Sequence, residues 1–317
     1  MNTQTLNLII AFAATLILGF IIVPKLKKLK IEQVVRDDGP KSHLKKNGTP
    51  TMGGIIMLIV IVAILGFHAV SNHQLILPIV ATLGFGIIGL IDDYKKLIKK
   101  DTKGLSPIKK MLGLFLVTAI FVILYLNVYN FGTDIIIPFV NQPMTLSIGA
   151  FVIFTAFILL GTSNAVNLTD GLDGLASGVV AIIMTFFTIV AVKQGNSDMV
   201  LLGSITVGTC LGFLIFNVHP AHVFMGDTGS LALGGAIASI AIILKMPLYL
   251  AIVAFVCIID TLSVILQVMF FKLTKGKRLF KMAPFHHHLE LNGMKETKVV
   301  VIFWIVTAIC CCIAYFI

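Results

Sequence analysis

Charged residues are scarce in this chain. Asp, Glu, Lys and Arg together make up 12% of its 317 residues, whereas an ordinary soluble domain has about 25%. With so few charges, a soluble fold of this size could not cover its surface with polar groups. The shortage argues against a soluble enzyme and a disordered chain. The 58% of apolar residues and the mean hydropathy of +1.03 indicate a polytopic membrane protein instead.

Cysteine and acidic residues are also few. The five cysteines lie inside apolar runs without a CxxC spacing, which argues against a disulfide framework. The 14 acidic residues against 24 basic ones give a net charge of +10, which in a soluble protein would suggest a nucleic acid partner. Here the basic residues follow the loops of a membrane protein, so no nucleic acid partner is expected.

Long apolar runs predict an all-α fold of about ten transmembrane helices. A helix needs about 17 to 25 mainly apolar residues to cross a bilayer. The runs are 6–24, 53–70, 75–91, 111–127, 146–163, 176–192, 199–216, 230–244, 248–271 and 299–316. Between the fourth and fifth runs, residues 134–139 predict a short extended segment.

The basic residues predict the orientation of these helices. Segments 25–50, 92–110 and 272–298 hold eight, seven and seven of the 24 Lys and Arg residues, all on one side of the ten-helix arrangement. Positively charged loops mark the cytoplasmic side, so both termini are expected to be extracytoplasmic. We predict one catalytic membrane domain, 1–317, with an active site formed by cytoplasmic loops 25–52, 92–110, 164–175, 217–229 and 272–298.

Two neighbouring acids, Asp92 and Asp93, end the third predicted helix in GLIDDYKK at 89–96. Side chains of helical neighbours diverge by about 100°, so one could face a metal or substrate and the other a lysine. Carboxylates at a helix C-terminus oppose the helix dipole, which favours a bound cation there. A solvated helix end beside Lys95 and Lys96 is an equally open interpretation.

Asp170 and Asp173 lie in NLTDGLDGLA at 167–176, which opens the sixth predicted helix. If this stretch is helical, the two acids share a face, and a helix N-terminus offers N–H groups to a phosphate. One aspartate would be explained as an N-cap. Two of them together with Asn167 exceed what capping needs.

Asp227 and three consecutive histidines are further candidates. Asp227 lies between glycines before the eighth predicted helix and suits a Mg²⁺ ligand, with an N-cap as the plainer interpretation. His286, His287 and His288 in PFHHHLE cannot all face one ion, because zinc sites use spaced ligands. We predict that they donate hydrogen bonds to a phosphate or a sugar, and a merely solvated loop is the alternative.

Three other features remain, and the acid among them is a stronger signal than the GxGxxG match. Residues 45–54 could supply cations for a diphosphate, although they lack the GxxxxGK[ST] pattern of a Walker loop. The GxGxxG match at 84–89 lies inside a predicted span, where glycines more often let helices approach. Asp260 lies within the ninth span, and an ionisable group at that depth usually faces a cavity or a partner. It could also mark a bend in that span.

The motifs named above occur in order along nearly the whole chain. Together with GTPTMGG at 48–54 and FMGDTGSLALGG at 224–235, they resemble the phospho-N-acetylmuramoyl-pentapeptide transferases, a family within the polyprenyl-phosphate N-acetylhexosamine-1-phosphate transferase superfamily. The resemblance implies transfer of phospho-N-acetylmuramoyl-pentapeptide from its UDP carrier to undecaprenyl phosphate, giving lipid I and UMP with Mg²⁺. It also implies ten membrane helices, often in a homodimer, in the bacterial cytoplasmic membrane with the active site on the cytoplasmic face.

The resemblance also implies roles for particular residues. The catalytic positions would be Asp92, Asp93, Asp227, His286, His287 and His288, with Asp227 as the metal ligand. The substrate-binding positions would be Lys46, Thr51, Asn167, Asp170, Asp173, Asn217, Phe224 and Gln267. Direct attack of the lipid phosphate, assisted by Asp92, and a two-step route through a phosphorylated aspartate both remain open.

Two other functions compete with this one. A related transferase acting on a UDP-N-acetylhexosamine is the nearer alternative, although PFHHHLE argues against it because those relatives carry a different histidine pattern. An ion-coupled transporter could also hold an intramembrane acid such as Asp260. A transporter would more naturally show charges at the membrane midplane, whereas almost every acid here is predicted at one face.

Overall fold

The computed structural model describes residues 3–29, 48–99, 104–140 and 142–317. Its α-helices are α1 (Thr3–Lys28), α2 (Gly54–Ala69), α3 (Ile76–Lys99), α4 (Pro107–Ile123), α5 (Ile148–Thr169), α6 (Leu175–Lys193), α7 (Ser197–Asn217), α8 (Gly226–Ile243), α9 (Leu250–Val253), α10 (Phe255–Leu273), α11 (Phe285–Leu291) and α12 (Glu296–Phe316). Two strands, β1 (Asp134–Ile137) and β2 (Gln142–Thr145), pair antiparallel. The predicted all-α membrane fold is confirmed.

Nine of the ten predicted spans each correspond to one helix, and the ninth in order corresponds to two. In the described part of the chain, nine helices are long and apolar enough to cross a membrane, and α2 is apolar but has only 16 residues. The ninth span is interrupted, because α9 ends at Val253 and α10 begins at Phe255. The break lies at Ala254, so Asp260 does not mark the bend and lies within α10.

Two helix boundaries differ from the prediction, and both differences concern residues of the site. The third span was expected to end at residue 91, but α3 continues to Lys99 and carries Asp92 and Asp93 within it. The eighth span was expected to begin at residue 230, but α8 begins at Gly226 and carries Asp227 in its first turn. The residues in these added turns are mostly polar, so a search for apolar runs does not assign them to a helix.

Helix α8 forms the centre of the bundle. Sixteen of its 18 residues are buried, and it packs against α3, α5 and α2. Small residues make this possible, because a Cβ added to Gly235 would lie 2.8 Å from the Ala81 carbonyl oxygen and one on Gly89 would overlap the Asp227 carbonyl. Helices α3 and α8 therefore run antiparallel in close contact, with the C-terminal part of α3 beside the start of α8. The GxGxxG match serves helix packing, as expected.

Helices α1 and α7 both end at the end of the bundle that holds Asp227. Helices α1 and α7 run parallel, since Gly208 contacts Leu8 and Gly212 contacts Phe12. The strand pair lies at the opposite end of α8, where Ile136 donates its backbone N–H to the Lys245 carbonyl at 2.7 Å. The predicted extended segment is thus confirmed, and it lies one helix length from Asp227.

Candidate active site

Asp93 joins α3 to the first turn of α8. Its Oδ2 accepts hydrogen bonds from the backbone N–H of Thr228 at 2.9 Å and from the Thr228 hydroxyl at 2.7 Å, and its Oδ1 accepts from the Asp227 N–H at 3.2 Å. First-turn N–H groups have no partner within their own helix, and a carboxylate there is favoured by the helix dipole. Gly226, with φ +74°, allows the contact, because a Cβ would lie 2.7 Å from Asp93 Oδ2. Asp93 thus holds Asp227 in place.

Asp227 lies between two lysines and an amide. Its Oδ2 is 3.0 Å from Lys96 Nζ and 2.8 Å from Lys110 Nζ. Its Oδ1 accepts from Asn167 Nδ2 at 2.9 Å, and the same amide nitrogen donates to Ser230 Oγ at 2.9 Å. Four helices, α3, α4, α5 and α8, therefore contribute to the surroundings of one carboxylate.

Asp92 lies beside Asp93, and Lys96 Nζ contacts both carboxylates, 2.8 Å from Asp92 Oδ2 and 3.9 Å from Asp93 Oδ1. Asp92 Oδ1 accepts from the Leu105 N–H at 2.6 Å. Gly104 has φ +54°, and a Cβ there would lie 2.6 Å from Asp92 Oδ1. The chain before α4 can close over Asp92 because residue 104 has no side chain.

The carboxylates of Asp92, Asp93 and Asp227 could hold a divalent metal ion. Each offers an oxygen, and these oxygens all lie within 4.8 Å of one another. An all-oxygen set of acidic ligands fits a hard cation such as Mg²⁺. Lys96 and Lys110 balance two of the three negative charges, which leaves one uncompensated. Asp93 is the least available of the three because α8 uses both of its oxygens.

Asp170 is a carboxyl group held next to this negative cluster. Burial, together with repulsion from Asp227, Asp93 and Asp173, raises its pKa to about 8, although a hydrogen bond from the Gly226 N–H opposes the shift. A carboxyl with this pKa is largely protonated at neutral pH and can donate a hydrogen bond. Asp170 is therefore suited to donate a hydrogen bond to a substrate acceptor.

The segment that carries Asp170 and Asp173 is a turn. Helix α5 ends at Thr169 and α6 begins at Leu175, so Asn167 belongs to α5 and the condition for a shared helical face is not met. Asp173 Oδ2 instead contacts His219 Nδ1 at 3.1 Å and accepts from the Ala221 N–H at 3.1 Å.

Further contacts hold this turn against its neighbours. The Asp173 N–H donates to Glu296 Oε1 at 2.8 Å, which joins the turn to the first residue of α12. Gly174 has φ +79° and donates to Asn217 Oδ1 at 3.2 Å. The turn is therefore fixed from α7 and α12 at once.

The three histidines lie in α11 and have separate partners. His286 Nδ1 is 2.9 Å from Asp260 Oδ2, and His287 Nδ1 is 2.9 Å from Glu290 Oε2. His288 Nδ1 accepts from the Lys281 N–H at 3.2 Å. The expectation that the three histidines do not face one ion agrees with this geometry.

Two of the histidines reach the turn at 170–174. A Cβ on Gly171 would overlap His286 Nε2 and would lie 3.3 Å from His287 Nε2. His288 contacts Phe280 and Phe285 instead, with ring centroids 5.5 and 5.8 Å away. The structure therefore brings His286 and His287 to the turn and places His288 within the 280–292 segment.

Three of the residues expected to bind substrate, Asn217, Phe224 and Thr51, make contacts within the protein near the start of α8. Asn217 uses its amide within the protein, accepting from Ser177 Oγ at 2.9 Å and donating to the Val223 carbonyl at 3.0 Å. The backbone of Phe224 bonds to Pro50 and Gly53, which aligns residues 50–53 with the entry to α8. Thr51 is buried there, and its hydroxyl would lie 3.1 Å from a Cβ on Gly226.

Gln267 and Lys46 differ from this group. Gln267 Oε1 accepts from the N–H groups of Leu279 and Phe280 at 3.0 and 2.8 Å, and its Nε2 donates to the Phe280 carbonyl at 3.0 Å. It anchors the chain that precedes α11. Lys46 lies outside the described residues.

Comparisons with known proteins match this chain almost from end to end. A family model for glycosyl transferase family 4 matches residues 75–245, and a model for phospho-N-acetylmuramoyl-pentapeptide-transferase signature 1 matches residues 46–58. A phospho-N-acetylmuramoyl-pentapeptide-transferase of Acetivibrio thermocellus is 51% identical over 310 residues, which cover 97% of this chain and 93% of the relative. The chain belongs to this transferase family. The Bacillus subtilis member is 48% identical over 303 residues, covering 94% and 92%, and the Staphylococcus carnosus member is 50% identical over 303 residues, covering 94% of each.

In this member of the transferase family, the structure adds site residues that the sequence did not single out. Lys96 contacts Asp92 and Asp227, and Lys110 contacts Asp227. The spacing of four between Asp92 and Lys96 was a usable signal for a helical ion pair. Glu296 has no such signal, because 123 residues separate it from Asp173.

Proposed function

We propose that this protein transfers phospho-N-acetylmuramoyl-pentapeptide from its UDP carrier to undecaprenyl phosphate, forming lipid I and UMP. Relatives of nearly full length and about half identity carry that transferase name. The observation that carries the proposal is the cluster of Asp92, Asp93 and Asp227 with Lys96 and Lys110, next to a histidine-lined turn. Acids, lysines and histidines at one end of a membrane bundle suit a reaction between a soluble diphosphate and a lipid phosphate.

The metal proposed for this site is Mg²⁺, held by Asp227 with Asp92 as the second carboxylate. When bound, such an ion would neutralise phosphate charge that otherwise repels an anionic nucleophile. The protein contributes Lys96 and Lys110, whose ammonium groups lie 3.0 and 2.8 Å from Asp227 Oδ2. These two cations can also bind the phosphates of the donor.

The chemistry proposed is direct displacement. An oxygen of the lipid phosphate forms a bond to the phosphorus linked to the sugar, the bond to the UMP oxygen breaks, and UMP leaves. Asp92 orients the lipid phosphate or takes a proton from it. All six oxygens of the three aspartates accept hydrogen bonds or face a lysine, which makes each carboxylate a poorer nucleophile and favours this route over a phosphorylated aspartate.

A trapping experiment separates the two routes. Incubation of the protein with Mg²⁺ and radiolabelled donor, without undecaprenyl phosphate, should leave no phosphate label on the protein and release no UMP. Mass spectrometry of peptides containing residues 92, 93 and 227 would detect an adduct. A stoichiometric adduct of phospho-N-acetylmuramoyl-pentapeptide on an aspartate, formed with release of UMP and passed on when lipid phosphate is added, would contradict direct displacement.

The location and assembly of the protein are part of the proposal. The chain is a multi-pass membrane protein, and we place its single catalytic domain in the bacterial cytoplasmic membrane with the site facing the cytoplasm. Lys25, Lys27 and Lys28 end α1, which runs parallel to α7, so these lysines lie at the site end of the bundle. Positive charge at that end supports the cytoplasmic orientation. A homodimer remains an expectation from the family resemblance.

A donor comparison tests the proposed function. Detergent-purified protein with undecaprenyl phosphate and Mg²⁺ should release UMP from UDP-N-acetylmuramoyl-pentapeptide and none from UDP-N-acetylglucosamine, and EDTA should stop the release. Asp134→Asn is a matched control, because this carboxylate bonds to Thr145 and Lys245 at the other end of the bundle and its loss should leave the rate unchanged. Turnover with the acetylglucosamine donor alone would favour the related-transferase alternative.

A further inference from the structure

Asp260 is a buried carboxylate with a single residue as its side-chain partner among the described residues. It lies in α10 and is fully buried. Its Oδ1 accepts from the backbone N–H of His286 at 3.2 Å, and its Oδ2 is 2.9 Å from Nδ1 of the same histidine. An ionisable group is costly at this depth, so its presence needs an explanation beyond helix packing.

The contact determines the protonation of the His286 ring. A carboxylate oxygen only accepts hydrogen bonds, so Nδ1 must carry the proton. The other ring nitrogen, Nε2, then has a free lone pair in the neutral ring. Nε2 is buried and has no hydrogen-bond partner among the described residues. A buried polar atom of this kind normally has a partner in the working state.

The free nitrogen lies against the turn that carries two of the expected nucleotide-binding residues. His286 Nε2 lies against Gly171, where a Cβ would overlap it. Gly171 is in the turn between Asp170 and Asp173, two of the expected nucleotide-binding residues. The ring of His287 stands beside that of His286, with centroids 4.2 Å apart, so the second histidine restricts where a ligand can approach Nε2.

We propose that Asp260 is a positioning residue, which fixes His286 with its proton on Nδ1 so that Nε2 binds a hydrogen-bond donor of the UDP-linked substrate over the turn at 170–174. The donor would be a hydroxyl or an N–H group of the nucleotide or the sugar. The inference rests on the proposed transferase function for the identity of the substrate, and on the geometry of Asp260 and His286 for everything else.

Substitution of Asp260 by asparagine would reverse this arrangement. The His286 backbone N–H can only donate, so it takes the asparagine oxygen. The asparagine NH₂ group then faces Nδ1 and favours the tautomer with the proton on Nε2. The side-chain volume and the link to α11 are kept, but the nitrogen facing the substrate changes from acceptor to donor. A wrong tautomer in an Asp–His pair lowers kcat by up to about 10⁴-fold.

The test combines kinetics with a double-mutant comparison. We expect Asp260→Asn to lower kcat by about 10²-fold or more, with the thermal unfolding midpoint in detergent close to that of the wild type. Because Asp260 acts through His286, the double variant Asp260→Asn with His286→Gln should be no slower than His286→Gln by itself. Ser263→Ala is the control, since Ser263 Oγ bonds to the Asp260 carbonyl at 2.7 Å and not to its carboxylate.

Several outcomes would overturn the inference. Asp260→Asn with kcat within threefold of the wild type while His286→Gln is slow would show that Asp260 does not act through the ring, and so would multiplying losses in the double variant. An anchoring role for Asp260 predicts such multiplying losses. Inactive wild-type protein would instead contradict the proposed function and leave the geometry untested by kinetics, so a second measurement is needed.

That second measurement is the ¹⁵N NMR spectrum of the histidines in the wild-type protein. The His286 signal is assigned by its loss in His286→Gln. We expect the neutral ring to show a protonated Nδ1 and an unprotonated Nε2. The opposite tautomer would overturn the inference whether or not Asp260→Asn folds and whether or not the donor is turned over.

Discussion

Replacement of Asp227 by asparagine should lower turnover by about 10³-fold while the protein stays folded. The substitution removes the negative charge that lies between Lys96 and Lys110 and is proposed to hold Mg²⁺. The asparagine oxygen can still accept from Asn167, which retains one of the contacts that place the side chain. UMP release at saturating donor and Mg²⁺ measures the effect, with a thermal unfolding curve in detergent to check folding.

The control for this variant is a carboxylate outside the site. Asp198 accepts a hydrogen bond from Asn72 Nδ2 and lies near the start of α7, at the other end of the bundle from Lys96 and Lys110. Asp198→Asn removes the same charge and should keep turnover within about twofold, as expected of a surface change. If Asp227→Asn kept more than a tenth of wild-type turnover, the proposed metal and phosphate role of Asp227 would be wrong.

Replacement of Lys96 by glutamine should change two binding constants in opposite directions. Lys96 Nζ is 2.8 Å from Asp92 and 3.0 Å from Asp227, so its loss leaves the acidic cluster more negative. The Mg²⁺ concentration for half-maximal activity should fall, and the KM for the anionic donor should rise, each by about tenfold for an interaction of about 1.4 kcal/mol. Turnover measured over a matrix of Mg²⁺ and donor concentrations gives both constants.

Lys95→Gln is the matched control for this prediction. Lys95 is the preceding residue of α3 and, among the described residues, forms no ion pair with any of the three aspartates. Its loss removes the same charge from the same helix end and should leave both constants within about twofold. A rise in the Mg²⁺ requirement of Lys96→Gln would mean that Lys96 does not compete with the metal for the carboxylates.

Several features of the site were readable along the chain. Apolar runs placed ten helices, because a helix that crosses a bilayer must be apolar over most of its length. The same contrast made Asp92, Asp93, Asp170 and Asp227 conspicuous as acids at the ends of such runs. The divergence of helical neighbours predicted separate roles for Asp92 and Asp93. In the structure Asp92 accepts from Leu105 and Asp93 accepts from the first turn of α8. Lys96, however, contacts both carboxylates, at 2.8 and 3.9 Å.

Other features had only a weak local signal. The apolar runs predicted that α3 ends at residue 91 and that α8 begins at residue 230, whereas α3 continues to Lys99 and α8 begins at Gly226. A hydropathy pattern detects segments that contact lipid. These polar turns form part of the site and do not contact lipid, so the pattern misses them. Asp260 could be noticed as an acid at membrane depth, but its partner His286 is 26 residues away in another helix.

The sequence by itself determined the class of protein, the positions of its long apolar helices and the family. These follow from the total amount of apolar surface and from motifs that are contiguous in the chain. The tertiary structure decided which acids meet which cations, since Lys110 and Asp227 are 117 residues apart. It also decided that Asp93 caps a helix while Asp227 faces the lysines. Such pairings depend on the close contact of α3 and α8, which glycines at residues 89 and 235 permit, and contacts between distant segments form only when the helices pack.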